Sequence, residues 1–387
     1  MGTRKRLLAI INPISGTHSK VNIPETIKAT LDDSVFDIQI KFTEYAGHAT
    51  ILTKEAVAEK TDYVLSVGGD GTCNEIAKAL IHSDTALGII PIGSGNGLAR
   101  HLGIPIDVVR ALKIVNENRT VALDYCKAND KVFFCTCGVG FDAWVSMKFA
   151  EDKHRGGLTY LRKAVTEYMK YKTETYRLES KDGSVKEKAF LIACGNASQY
   201  GNNAYIAPRA NMQDGKLDVT IIRPFTPFDI GPLAVQLFTK LIDRNSNIKT
   251  FETESISIIR EKPGIMHIDG EPIMMDARID VSCVPGGLKA LVPEENNKIR
   301  YYDKLSFPSS EKNFMDVFFI DRTEEYLVSL KMKEHQVSLE ALNRRYELVL
   351  GATRLIPWTW DLLNKTINYD ITYVTHKLCK TKNSRMM

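Results

Sequence analysis

The stretch Gly68-Gly69-Asp70-Gly71-Thr72 decides the fold, because it lies between a short apolar run and an amphipathic one. Residues 63–67 predict a buried strand, and residues 73–81 have the apolar spacing of a helix. Glycine permits close backbone approach, so a glycine loop before a helix can direct several N–H groups at phosphate oxygens. The pattern therefore predicts a strand–loop–helix unit that can bind an anion.

Two further loops occupy the same position after their own strands. Asn12-Pro13-Ile14-Ser15-Gly16 follows the apolar run 7–11, and Gly93-Ser94-Gly95-Asn96-Gly97 follows the run 87–91. Strand-like and helix-like runs alternate over roughly the first 125 residues, which is typical of a βαβ array. Ligands bind at the carboxyl ends of the strands in such sheets, so we expect the three loops to converge on one site.

The pattern changes after residue 123, where short β-rich runs separated by turn residues predict a mostly β domain. Helical spacing interrupts it at 157–171 and 228–242. Residues 294–298 are a polar linker, and residues 323–350 predict one long amphipathic helix. The predicted organisation is an α/β domain at 1–125, a β domain at 126–293 whose last strand is a candidate to return to the first domain, and a helical appendage at 294–387.

Part of the appendage resembles a known sensor module. Residues 346–370, with Trp358-Thr359-Trp360-Asp361, resemble the opening of a PAS domain. A complete PAS domain needs about 100 residues and fewer remain. We interpret the segment as a truncated PAS-like appendage without an assigned activity.

Charge, hydrophobicity and cysteine content exclude several classes of protein. The net charge of +4 is too small to indicate nucleic-acid binding, and no apolar run reaches the length of a spanning helix. The seven cysteines contain no C-x-x-C pair, which favours core thiols in a reducing compartment over a zinc site. The basic start MGTRKRLLAIINPISG is too short in its apolar part for a signal peptide. We expect a cytoplasmic protein.

Asp70 places a carboxylate among the predicted phosphate donors. Mg²⁺ bridging Asp70 to a nucleotide would relieve the repulsion between the two, and Thr72 could donate its hydroxyl or cap the helix. The alternative is an ordinary strand–turn–helix connection. No Walker A motif and no G-x-G-x-x-G fingerprint occurs, so the predicted nucleotide site is of another type.

Five motifs, taken in order, resemble the diacylglycerol kinase-like lipid kinases, which include bacterial diacylglycerol kinases and the sphingosine and ceramide kinases. They are NPISG at 12–16, GGDGTCNEIA at 68–77, GSGNGLARHLGIP at 93–105, AFLIACGNASQYGNNAYIAPRANMQDGKLDV at 189–219 and HIDGEP at 267–272. The resemblance covers residues 4–293. It implies a phosphofructokinase-like α/β nucleotide-binding domain, a C-terminal β-sandwich that binds lipid, and ATP in the cleft between them.

The resemblance also implies the reaction and its participants. The implied reaction transfers the γ-phosphoryl group of ATP to a lipid hydroxyl. The implied acceptor is diacylglycerol, a sphingoid base or a related lipid, and the implied metal is Mg²⁺. The residues implied around ATP and Mg²⁺ are Asn12, Pro13, Ser15, Gly16, Thr43, Gly68, Gly69, Asp70, Gly71, Thr72, Asn74, Glu75, Gly93, Ser94, Gly95 and Asn96. Many bacterial diacylglycerol kinases have Thr where Ser94 stands, and GSGN is closer to the sphingosine and ceramide kinases.

The proton acceptor implied by the DGEP motif is Glu271, with Asp70 as the second candidate. The alternative is a plain hairpin turn, since Asp-Gly is a strong turn signal. The resemblance further implies a structural Mg²⁺ held by Asn211, Asp214 and Lys216, of which Lys216 could offer only its backbone carbonyl. A plain Asp-Gly hairpin is the alternative there too.

Membrane contact is expected because the acceptor is a lipid. Residues 158–171 form a basic amphipathic stretch that could seat the protein on the inner face of an anionic membrane, although an ordinary packed helix is the alternative. We expect no nucleic-acid partner, and a homodimer is compatible with the sequence. Two other functions stay open: an NAD kinase-like enzyme with a soluble acceptor, and a non-catalytic lipid-binding or signalling module.

Overall fold

The computed structural model describes residues 4–16, 22–150, 168, 171–294, 358–361 and 366–369. The chain divides into two compact units, Met1–Asn297 and Lys298–Met387. All of the glycine loops and the DGEP motif lie in the first unit. The helix predicted at 323–350 and nearly all of the basic stretch predicted at 158–171 lie outside the described residues.

The N-terminal part of the first unit is an α/β layer with four parallel strands in the order β2-β1-β3-β4. All residues of β3 and β4 are buried, as parallel strands covered on both faces should be. Its elements are β1 (Lys5–Ile11), α1 (Ile23–Thr30), β2 (Phe36–Phe42), α2 (His48–Ala58), β3 (Tyr63–Gly68), α3 (Asp70–Leu80), β4 (Ala86–Pro91), α4 (Gly97–His101) and α5 (Val108–Glu117).

Helix α3 begins three residues earlier than the apolar spacing predicted. Asp70, Gly71 and Thr72 therefore form the first turn of the helix and are not a loop before it. Apolar periodicity cannot detect such a turn, because Asp70, Gly71 and Thr72 carry no large apolar side chain.

The second part of the unit is built mainly from strands. The run predicted at 132–139 as one strand is two, and they belong to different sheets. The elements are β5 (Thr120–Ala128), β6 (Lys131–Phe133), β7 (Thr136–Gly140), α6 (Phe141–Ala150), β8 (Glu174–Ser180), β9 (Gly183–Ala189), β10 (Leu191–Gly195), β11 (Leu217–Ile222), a 3-10 turn (Pro227–Asp229), α7 (Ile230–Thr239), β12 (Ile248–Thr253), β13 (Ser255–Ile259), β14 (Gly264–Ile268), β15 (Glu271–Met275) and β16 (Arg278–Leu291).

Two sheets pack face to face in this part and form the β-sandwich. One is six-stranded, in the order β12-β11-β10-β7-β14-β15, and the other continues the parallel layer as β4-β16-β13-β8-β9, with β5 beside β16 and β6 beside β5. A shared core joins the two faces, with Phe133 and Ile258 on one sheet and Val139, Ile192 and Met266 on the other.

Strand β16 belongs to both parts of the unit. Its first half pairs antiparallel with β13, and both halves pair antiparallel with β5. Ala290 near its end also pairs in parallel with Leu87 of β4. The register along β5 shifts between Val284 and Leu288. One 14-residue strand therefore connects the α/β layer to the sandwich.

Two features concern reactivity and membrane insertion. The described cysteines are free thiols, and burial raises the pKa of Cys126 and of Cys137. Among the described residues, none of the helices has the length and apolarity needed to cross a bilayer. In the second unit, β17 (Trp358–Asp361) and β18 (Thr366–Tyr369) form an antiparallel pair, so this described part of the appendage is extended and not helical.

Candidate functional site

The three glycine loops contact one another at the carboxyl ends of β1, β3 and β4. Asn12 Nδ2 donates to Thr72 Oγ1 over 2.9 Å, which joins the first loop to the start of α3. Gly16, at φ +76°, leaves no room for a side chain: a Cβ there would lie 2.1 Å from the carbonyl oxygen of Ile92. The predicted convergence of the loops is thus present in the geometry.

Asp70 ties the second loop to the third. Its two carboxylate oxygens accept the backbone N–H groups of Asn96 (2.8 Å) and Gly97 (2.7 Å) at the start of α4. A Cβ on Gly95 would lie 2.6 Å from Asp70 Oδ2, so glycine is required for this approach. Asp70 is nevertheless exposed, and the second lone pair of each oxygen is still available to a cation.

The N-terminus of α3 is the part of the site best suited to phosphate. No side chain caps its first turn, so the N–H groups there are directed away from the helix without a capping acceptor. Gly93 approaches Gly69 so closely that a Cβ on Gly93 would lie 2.5 Å from the Cα of Gly69. A narrow glycine-lined cradle at a helix N-terminus fits the phosphates of a nucleotide.

The remaining predicted nucleotide residues surround this cradle. Glu75 Oε1 accepts the N–H of Gly47 (3.0 Å), and so fixes the turn that follows Thr43. Thr43 is buried, and its N–H donates to Ile11. Ser94 is exposed and Ser15 is half-buried. The side chains of Ser94 and Ser15 are therefore available to a ligand, whereas Glu75 acts on the backbone.

The turn before Glu271 is a two-residue hairpin loop between β14 and β15. Asp269 and Gly270 have φ values of 49° and 85°, as in a type I′ turn. Asp269 Oδ2 also accepts from Asn74 Nδ2 of α3 at 2.5 Å. The carboxylate accepts three further bonds, from the backbone N–H groups of Phe134, Cys135 and Thr136 at 2.8–3.1 Å. Burial raises the pKa of Asp269, and these backbone bonds oppose the rise.

Glu271 lies at the start of β15, two residues after Asp269. Asn74 follows Asp70 by one helical turn, so the turn is fastened beside the phosphate cradle. Glu271 is exposed, and its carboxylate makes no hydrogen bond within the described part of the chain. The turn can therefore be a hairpin and still serve catalysis, because the hairpin holds Glu271 near α3.

A buried network behind the turn was not predicted. His267 lies within 3.0 Å of Asp142, and Tyr200 donates its hydroxyl to the same carboxylate oxygen at 3.1 Å. The N–H of Gly270 donates to His267 Nδ1 (3.4 Å), so Nε2 carries the proton that Asp142 accepts. A Cβ on Gly138 would lie 2.3 Å from Asp142 Oδ2. The only sequence signal was the position of His267 beside the DGEP motif.

In the turn predicted to hold a structural metal, two of the predicted ligand side chains already accept hydrogen bonds. Asn211 Oδ1 accepts the N–H of Gln213 (3.1 Å), and Asp214 Oδ1 accepts the N–H of Lys216 (3.0 Å). The ammonium group of Lys216 pairs with Glu252 at 2.8 Å, so only its carbonyl could bind a cation. Within the described residues, no three Asp, Glu, His or Cys side chains gather closely enough to hold a metal.

Asp124 is a neighbour of this turn that the sequence did not indicate. It is buried and accepts the N–H groups of Gly215 and Gly286, both at 2.7 Å. Burial raises the pKa of Asp214, and the negative charges of Glu252 and Asp124 add to the rise. A cation would relieve this crowding, so Mg²⁺ fits the turn only with amide and main-chain oxygens as additional ligands.

Comparison with known proteins gives two family matches in chain order. Residues 6–128 match the diacylglycerol kinase catalytic domain, and residues 135–292 match the YegS C-terminal NAD kinase beta sandwich-like domain. The solved structure of a diacylglycerol kinase from Bacillus anthracis aligns with a TM-score of 0.60 at 21% identity. The alignment covers 76% of this chain and 98% of that one, which shows a shared fold.

Curated relatives agree with these matches. A protein of Klebsiella pneumoniae named "Probable lipid kinase YegS-like" is 29% identical over 272 residues, covering 68% of this chain and 89% of its own. A protein of the same name from Pseudomonas savastanoi is 28% identical over 314 residues, covering 79% of this chain and 99% of its own. With both domains matched in order, this chain belongs to the diacylglycerol kinase-like lipid kinase family.

Proposed function

We propose that this protein transfers the γ-phosphoryl group of ATP to a hydroxyl group of a lipid, with Mg²⁺. The observation that carries the proposal is the bond between Asn74 and Asp269, which fastens the turn before Glu271 beside the open N-terminus of α3. A phosphate cradle thus occurs on an element fastened to the hairpin of Glu271, whose carboxylate makes no hydrogen bond to any described residue.

The phosphate side of the reaction rests on backbone groups. The first turn of α3 offers N–H donors and the positive end of the helix dipole, and Gly69 and Gly93 allow close approach. Asn12 and Thr72 hold the neighbouring loop against the cradle. Positioning and charge stabilisation of this kind supply most of the catalysis in phosphoryl transfer.

When bound, Mg²⁺ supplies positive charge that neutralises the phosphate oxygens. Asp70 is the carboxylate that would face it, through the lone pairs not used by Asn96 and Gly97. Both oxygens of Asp70 already accept backbone hydrogen bonds, so this carboxylate has fewer lone pairs available for the hydroxyl proton than Glu271 has.

Glu271 is the proposed general base. Its carboxylate makes no hydrogen bond within the described residues, so it is available to accept the proton of the attacking hydroxyl. Asp269 and the hairpin hold it in place. Efficient transfer requires this placement, because a general base acts only within hydrogen-bonding distance of the proton.

An aromatic cavity in the sandwich suits an apolar acceptor. The cavity has a volume of about 530 Å³, and its lining includes Tyr168, Tyr171, Phe190 and Phe225. The rings pack against one another, with Phe190 and Phe225 centroids 4.7 Å apart. The lining also includes Lys172, Thr173 and Lys188, so the cavity suits an acceptor that has both an apolar part and a polar or anionic part.

The test is incubation with γ-labelled ATP, Mg²⁺ and, in separate reactions, diacylglycerol, monoacylglycerol, ceramide, sphingosine and NAD. Chromatography of the extracted products should show label on at least one lipid. Label on NAD with unlabelled lipids would instead favour a soluble-acceptor kinase. The absence of any transferred label would favour a non-catalytic module.

Two variants connect the activity to the site. We expect Glu271→Gln to lower kcat by roughly 10²–10⁴-fold with little change in the KM for ATP. We expect Asp70→Asn to raise the Mg²⁺ requirement as well as lower kcat. Glu261→Gln is the matched control, since Glu261 is another exposed glutamate of the same domain. Full activity of Glu271→Gln would contradict the assigned role.

A further inference from the structure

Helix α7 and the 3-10 turn before it present apolar side chains to solvent. No residue of α7 is buried, and none is charged. Phe228 is 86% exposed, Val235 56% and Phe238 46%. Pro232 is exposed as well, and lies four residues after Phe228 and three before Val235, so the three share one face. The outward face of a surface helix is ordinarily polar.

The inner face of α7 packs on the aromatic side of the sandwich. Leu233 and Leu237 pack against the buried cluster that includes Phe190, as Phe225 also does. The 3-10 turn begins at Pro227, which lines the same 530 Å³ cavity as Phe225. The exposed apolar face is therefore continuous with the mouth of the cavity proposed for the acceptor.

The charges around the mouth favour an anionic partner. The cavity lining includes Lys172 and Lys188 and no carboxylate, and both lysines are exposed. Within the described residues, no acidic side chain pairs with either of them. Two acids lie close to the lining. Asp229 already accepts the N–H and the hydroxyl of Thr226 at 2.8 Å each. Glu174, two residues after Lys172, accepts the hydroxyl of Tyr176 at 3.0 Å.

We propose that Phe228, Pro232, Val235 and Phe238 insert into the headgroup region of an anionic lipid bilayer, with Lys172 and Lys188 against its phosphates. Apolar insertion combined with a few cations is how peripheral proteins bind such surfaces. This proposal rests on the proposed function, since it brings the cavity mouth to the lipid. It adds α7 to the predicted membrane contact, while the stretch 158–171 stays a prediction.

The experiment is co-sedimentation of the full chain with vesicles, without ATP or acceptor. Vesicles are either phosphatidylcholine alone or a mixture with phosphatidylglycerol. We expect binding to the mixed vesicles, and a loss of at least about tenfold in the partition coefficient for Phe228→Ser/Phe238→Ser. Ile51→Ser on α2 is the matched control, because Ile51 is also 46% exposed. Lys172→Gln/Lys188→Gln should reduce only the preference for anionic lipid, and Lys54→Gln should not.

Four results would overturn the proposal. The double serine variant could bind as tightly as the wild type, or the wild type could fail to bind. The lipid-free protein could be a dimer that the serine variant converts to monomer, which would assign the face to a second copy. A polarity-sensitive dye on Phe228→Cys could report an apolar environment before vesicles are added, which would assign the face to the chain itself.

The binding assay and the kinase assay test the membrane proposal and the proposed function independently. Vesicle binding needs no catalysis, so it can succeed when no acceptor is phosphorylated. Conversely, the serine variant should keep wild-type turnover of a short-chain, water-soluble acceptor and lose turnover of the same headgroup in vesicles. Equal loss with both acceptors would mean that the variant damages the enzyme itself, and would contradict the assignment of α7 to the membrane.

Discussion

Asp269 shows how one side chain can organise the candidate site. It joins Asn74 to the DGEP hairpin across 195 residues of sequence and accepts three backbone N–H groups at the start of β7. The sequence indicated Glu271 through its motif, but Asp269 was expected only to make a turn. Its role depends on a contact between two domains, and no local pattern encodes such a contact.

The same residue gives a prediction for stability and catalysis together. Asp269→Asn should lower the free energy of unfolding by about 2–3 kcal/mol, because an amide cannot accept all four bonds. Phosphoryl transfer should fall as well, since the turn that carries Glu271 loses its anchor. Urea unfolding and the labelled-ATP assay measure the two effects. Asp182→Asn, in the exposed β8–β9 turn, serves as the control and should change neither.

Elements differ in how far sequence could predict them. The glycine loops and β1–β4 follow from local alternation of apolar and turn residues, so their order along the chain was predictable. The division of residues 132–139 into β6 and β7 was not predictable, because both halves are apolar and they differ only in the strands with which they pair. Asp142 and His267 likewise come together from α6 and β14, 125 residues apart.

Helix α4 provides a pH-dependent prediction at this scale. His101, its last residue, accepts the N–H of Ser198 from the sandwich, and burial lowers the pKa of His101 to about 4, with a contribution from the charge of Lys240. In the unfolded chain the pKa is about 6.5, so the unfolded state takes up the proton first as the pH falls. Stability should therefore drop by about 1–3 kcal/mol between pH 6.5 and pH 4.

Denaturant titrations over this pH range test the assignment. His101→Gln keeps an acceptor for Ser198 but does not titrate, so its stability profile should be flatter than that of the wild type. Parallel profiles for the two proteins would show that another group is responsible for the acid sensitivity.

At the scale of the whole molecule, β16 contributes to both cores of the first compact unit, so we expect the unit to unfold as one cooperative body. Leu288 packs in the core of the α/β layer, and Ile279 packs in the core of the sandwich, yet both lie on this strand. The family motifs predicted two domains in order. That one strand pairs with both domains could only be proposed from the sequence, since the strands it pairs with are distant from it in the sequence.

We expect Ile279→Ala and Leu288→Ala each to lower the free energy of unfolding of the whole unit by about 2–5 kcal/mol. Hydrogen exchange followed by mass spectrometry should show faster exchange in β3 and in β11 for both variants, because the two cores unfold together. Exchange accelerated only in the part that contains the substitution would instead indicate two independent domains.

The register shift in β16 has a mechanical consequence. Between Val284 and Leu288 the strand contains Pro285, which has no N–H to donate, and Gly286 at φ +63°. The N–H of Gly286 is held by Asp124 at 2.7 Å. We expect any motion of the α/β layer against the sandwich to bend β16 at this interruption, where the Asp124 carboxylate restrains the backbone. Removal of the Asp124 carboxylate would free the N–H of Gly286 and would loosen this connection between the two parts of the unit.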